Sequence, residues 1–158
     1  MTFWAARLGI TRAVVINSIR ATVAAVASML LAYLLRLPEF YWAPISTMVI
    51  LLSTVDPIPL SWQRFVGTAL GAAVGAVIAT FFHPNWMAYG ASIFLCGILS
   101  AVFRIGPAYR FAAITVSIVL LIAHAAPPWI VAIHRFVEVS LGIAVALLVA
   151  LVWKVPAS

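Results

Sequence analysis

The sequence predicts an all-α integral membrane protein whose six transmembrane helices form two inverted three-helix repeats. Three observations predict it. Of 158 residues, 66% are apolar and 8% are charged, a balance that no water-soluble domain of this size could keep dissolved. Six apolar runs are separated by short Pro, Gly and charged stretches, and six spans of about 20 residues, each matching a bilayer core about 30 Å thick, use most of the chain. The two halves also resemble each other, three spans apiece. Residues 1–158 therefore read as one six-helix transmembrane domain with repeat halves at residues 13–82 and 86–153. No room is left for a separate catalytic domain.

The first span runs from Ala13 to Leu35. Ala25-Val26-Ala27 looks like a signal-peptide cleavage site, but Arg20 interrupts the apolar region such a peptide needs, so the span reads as retained. The second, Tyr41 to Val55, is short and needs its flanks to cross. Leu60 to Phe82, Trp86 to Phe103, Ala108 to Ala126 and Trp129 to Trp153 follow. Leu37-Pro38-Glu39, Asp56-Pro57-Ile58-Pro59, His83-Pro84-Asn85, Gly106-Pro107 and Pro127-Pro128 separate them as short turns. Trp4, Trp42, Trp62, Trp86, Trp129 and Trp153 fall near span ends, where interfacial anchors belong. With the N-terminus inside, Arg7, Arg12, Arg64, Arg104, Arg110 and Lys154 lie at cytoplasmic ends and only Arg36 and Arg135 fall outside, so both termini are expected in the cytoplasm.

The net charge of +6 does not indicate nucleic acid, because the cations flank apolar runs, where anionic lipid headgroups of the bilayer meet them. Cys96 lies inside an apolar run and is expected to be packing.

Arg64 to Gly75 overlies Arg135 to Ala146 at an offset of 71, with seven of twelve residues identical. Arg36-Leu37-Pro38 overlies Arg104-Ile105-Gly106-Pro107 with one residue inserted, followed by Trp42-Ala43-Pro44-Ile45-Ser46 over Phe111-Ala112-Ala113-Ile114-Thr115. Three spans per half force the second half to cross in the opposite sense, an architecture used by transport proteins. Gly67, Gly71 and Gly75, and Gly142 with Ala146, give small-residue rows at four-residue spacing that let helices pack closely, within a protomer or between two.

Tyr41-Trp42-Ala43-Pro44-Ile45-Ser46, the Arg64, Gly67, Thr68, Gly71, Gly75 series, and Arg135, Glu138, Gly142 together resemble the membrane module of the fusaric acid resistance family, which is similar to the aromatic acid exporters. The likeness runs from Arg20 to Pro156. It implies a bacterial inner-membrane module that exports organic, often aromatic, carboxylates, as a dimer. Many relatives resemble longer chains, so the expected partner is a second copy or a separate membrane subunit.

Few polar residues are available for chemistry. Arg20, about 10 Å into the first span, is either a snorkelling or Asn17- and Ser18-bonded residue, or a ligand for a carboxylate, which the planar guanidinium can hold by both oxygens. Arg64 and Arg135 hold equivalent places in the two halves, as interfacial anchors or paired anion gates. Tyr41 and Trp42 offer an aromatic face. Glu138, where the other half has Gly67, either pairs with Arg135 or couples transport to protons; His134 either assists that relay or lies at the interface beside a turn. Asp56 reads as a turn residue, and His83 and His124 lie near span ends. No metal-ligand spacing, no cofactor and no hydrolase triad is expected. The expected function is a transporter or channel-like module for small organic anions, the alternative being a noncatalytic membrane subunit of a larger complex.

Overall fold

The computed structural model describes residues 12–83, 85–122 and 126–153. Trp4, Arg7, Pro84, His124, Lys154 and Pro156 lie outside the described residues. The described chain is helical: α1 Arg12–Leu34, α2 Trp42–Leu51, α3 Pro57–Phe81, α4 Trp86–Val102, a 3-10 turn Gly106–Ala108, α5 Tyr109–Leu121 and α6 Pro128–Val152. Six helices thus stand where six apolar runs were expected. Their lengths differ from that expectation. Among the described residues, α1, α3 and α6, at 23, 25 and 25 residues, are long and apolar enough to cross a membrane. The other three are shorter. Helix α2, with 10 residues, is about 15 Å long, half the core thickness. It stops at Leu51, and Ser53-Thr54-Val55-Asp56 then leads into Pro57, before which Asp56 is turned away from helical geometry.

Local chemistry sets the ends. Pro57 and Pro128 stand at the first positions of α3 and α6, where the missing N–H costs nothing. The Asn85 side chain accepts a hydrogen bond from the Ala88 N–H at 2.8 Å and starts α4. Helices α1 and α4 end alike. Arg36 and Arg104 adopt left-handed φ values of 53° and 55°. Leu37 N–H reaches back to Ala32 O at 3.1 Å and Ile105 N–H to Ser100 O at 2.8 Å, each the closing bond of a Schellman turn.

Packing runs mainly between the halves. Helix α3 lies against α5 and α6, and α6 lies against α2 and α3; α1 covers α2 and α6 while α4 covers α5 and α3. Two glycines permit the tightest approaches. A Cβ on Gly71 would meet the Ala112 carbonyl and lie 2.9 Å from Thr115 Cβ, while one on Gly142 would meet the Ala43 carbonyl and lie 2.7 Å from Ser46 Cβ. Gly67 and Gly75 face α5 in the same row, against Phe111 and Val119. The short α2 is held by this contact: the Thr47 hydroxyl bonds the Gly142 carbonyl at 3.0 Å as well as its own Ala43 carbonyl at 3.1 Å.

The outer surface is apolar. Val23 and Leu30 on α1, and Trp86 and Phe94 on α4, are exposed, the distribution expected where lipid replaces water. Buried polar side chains collect instead in the interior, including Ser46, Thr47, Arg64, Thr68, Thr115, Arg135 and Glu138.

Candidate anion-binding site

Arg135 and Glu138 lie on one face of α6, three residues apart, and both are almost completely buried, at 1% and 0% exposure. Desolvating such charges costs several kcal/mol each, so they require partners. The segment between α1 and α2 supplies them. Glu39 forms an ion pair with the Arg135 guanidinium, whose other amino group lies 3.5 Å from Glu138 Oε2. The Arg135 guanidinium also covers the Trp42 ring at 4.3 Å from its centroid, a favourable cation–π geometry. Glu39 Oε2 accepts further hydrogen bonds from the Tyr41 hydroxyl at 2.9 Å and the Trp42 indole N–H at 3.0 Å. The Glu39 backbone N–H donates to Glu138 Oε1 at 3.0 Å. Three residues singled out for binding a carboxylate, Tyr41, Trp42 and Arg135, therefore hold one, and it is the protein's own.

Arg64, on α3, is 6% exposed and has different neighbours. Its Nη2 donates to the Ser46 hydroxyl at 3.1 Å, which donates in turn to the Trp42 carbonyl at 3.0 Å. Its guanidinium lies 5.1 Å from the Phe111 ring centroid. Its Nε is buried without a hydrogen-bond partner. Among the described residues no carboxylate is within ion-pair distance of Arg64, since both ion pairs formed by glutamates go to Arg135. Sequence correspondence explains why. Glu138 corresponds to Gly67, and Glu39 falls opposite Ala108 when Pro38 is set on Pro107. Gly67 packs against the Ala108 carbonyl just as Glu138 meets the Glu39 backbone. At the aligned positions neither acid is present.

Arg64 and Arg135 line one crevice with Trp42, Thr68, Phe111 and Thr115. Its volume, about 10 Å³, leaves room for one water at most and none for an organic anion. Two aromatic rings line it: Trp42 lies under the Arg135 guanidinium, and Phe111 lies under those of Arg64 and Arg110.

Arg20 lies apart from this crevice. Its Nη1 donates to the Trp153 carbonyl at 3.0 Å, satisfying an orphan carbonyl at the end of α6 where a cation also opposes the helix dipole. Arg110 bonds Gln63 at 3.2 Å and lies 4.7 Å from the Phe111 centroid. No group of three metal-ligating side chains occurs among the described residues. Cys96 is buried against Val74, Ala112 and Val116.

Sequence reasoning treated Glu39 only as part of a turn and missed its place in the site. A signal was present: the orientation that put Arg135 at the outer end also puts the segment containing Glu39 there, and the chain has only three acids to pair.

Residues 22–149 match the family described as fusaric acid resistance protein-like. The chain belongs to that family. The family comprises membrane transport proteins, so this member is a multi-pass helical membrane protein of a transport family. No curated protein and no solved structure matches it.

Proposed function

We propose that this member of the fusaric acid resistance protein-like family carries small organic carboxylates, aromatic ones among them, outward across the bacterial cytoplasmic membrane. It works as two inverted repeats, as a homodimer, with both termini in the cytoplasm. The observation that carries the reading is the pair of buried arginines, one from each half, on a single crevice. A guanidinium in a low-dielectric interior attracts an anion far more strongly than one in water, and its planar fork suits a carboxylate.

Several correspondences support the inverted repeat. Pro57 and Pro128, and Phe81 and Val152, bound α3 and α6 at 71 residues apart. The left-handed Arg36 and Arg104 match, as do the Gly71 and Gly142 contacts. Exchanging the halves converts the α3–α5 and α1–α6 contacts into the α6–α2 and α4–α3 contacts. The long-range hydrogen bonds also agree with helices that alternate in direction, since Arg20 meets Trp153 and Tyr89 meets Ser117, each pair assigned to one side. Arg64 and Arg135 each stand seven residues into their helices, about 10 Å from opposite surfaces. A carboxylate then meets one guanidinium on entering and the other on leaving, which is the requirement for alternating access.

Uptake of radiolabelled benzoate into proteoliposomes tests this reading. Wild-type vesicles should exceed protein-free vesicles, with saturation by benzoate and competition by other carboxylates. Arg64→Gln should lower the flux at least about tenfold, the scale of one lost charge-assisted hydrogen bond. Equal uptake with and without protein would overturn the proposal.

A further inference from the structure

The carboxylate of Glu39 sits where the proposed function needs the carboxylate of a substrate. It receives Arg135, the Trp42 indole N–H and the Tyr41 hydroxyl together. We propose that Glu39 is a tethered surrogate for the transported anion, closing the Arg135 end of the passage until a substrate carboxylate displaces it. This rests on the reading of Arg135 and Trp42 as substrate ligands.

Three features make Glu39 displaceable and Arg135 fixed. The Glu39 side chain is 30% exposed while that of Arg135 is 2% exposed, so the carboxylate has a path to water and the guanidinium has none. Glu39 lies in the irregular segment between α1 and α2, where a side chain moves without unwinding a helix. Its backbone N–H is bonded to Glu138, which holds the segment close while the side chain leaves. Exchange of one carboxylate for another keeps the buried guanidinium compensated at every stage, avoiding the several kcal/mol that an unpaired charge would cost. The Arg64 end lacks such a latch, because Ala108 and Gly67 replace the two acids. The two ends of the passage are therefore unequal: the end at Arg135 opens by competition, and the end at Arg64 is free to take an anion when the helices part.

The test is benzoate binding by calorimetry to the purified full chain in detergent, with benzoate flux in proteoliposomes alongside. Glu39→Gln keeps the shape and removes the competing charge; its apparent affinity for benzoate should rise at least about fivefold, because a competitor that holds the closed state lowers apparent affinity by the closed fraction. Glu39→Asp keeps the charge but withdraws it by one methylene; it too should bind benzoate more tightly than wild type, and it carries the test if Glu39→Gln does not fold. Unchanged or weaker binding in the folded variants would overturn the surrogate role. If Arg135→Gln bound benzoate as wild type does, the underlying site assignment would fail instead. Loss of binding in Arg135→Gln that still unfolds cooperatively, with tighter binding in Glu39→Gln, supports both.

Discussion

At the residue scale, Arg135 meets two carboxylates and Arg64 meets none, so the two respond oppositely to neutralisation. Arg135→Met strands Glu39 and Glu138 and should cost about 3–5 kcal/mol, since breaking a buried pair leaves the remaining charge uncompensated. Arg64→Met removes a buried cation that has no counterion and should leave stability unchanged or raised, while abolishing flux. Thermal unfolding of both variants in detergent, compared with wild type, checks this. Arg20→Gln should keep flux within about twofold, because that guanidinium bonds the end of α6 rather than the crevice. Depth along a helix could nominate Arg20, Arg64 and Arg135 from sequence. It could not say which helix face each used, and only packing separated Arg20 from the other two. Glu39 was harder to read, since its role arises from a segment 96 residues before Arg135 folding over it.

At the element scale, the helices are positioned by backbone contact at small residues. Gly142→Val places a side chain into the Ala43 carbonyl and Ser46, and should cost at least about 1–3 kcal/mol by overpacking. Gly90, whose Cβ would meet nothing within 4 Å, should accept Ala without loss. Unfolding midpoints of the two variants measure the contrast. Arg36→Gly and Arg104→Gly should each stabilise the protein by up to about 1 kcal/mol, because left-handed backbone is strained for a residue with a Cβ. Hydropathy located all six helices but overstated α2 and α5. It sums apolar side chains and does not register that Ser53 to Asp56 leads from α2 into Pro57, or that α5 ends at Leu121 within a run that stays apolar. The Gly rows were legible because close approach in a membrane demands small residues at four-residue spacing; their partners, α5 for Gly71 and α2 for Gly142, needed the tertiary structure.

At the scale of the whole molecule, each half packs on the other more than on itself, so neither half encloses the crevice alone. The proposed two-termini-inside topology predicts that single cysteines placed after Met1 and after Ser158, in a Cys96→Ser background, are labelled by an impermeant maleimide only from the cytoplasmic face. Labelling of either from outside would contradict it. The family was legible from the Tyr41–Ser46 stretch and from the Arg and Gly positions of α3 and α6, because these mark contacts rather than bulk hydropathy. The asymmetry between the two arginines was partly legible too, in Glu138 standing opposite Gly67. The central claim is that Arg64 is the cation left free for a transported carboxylate. Benzoate flux through Arg64→Gln, in proteoliposomes made from protein that unfolds at the wild-type temperature or above, tests it most directly: flux at least about tenfold below wild type is the predicted result, and flux equal to wild type would contradict it.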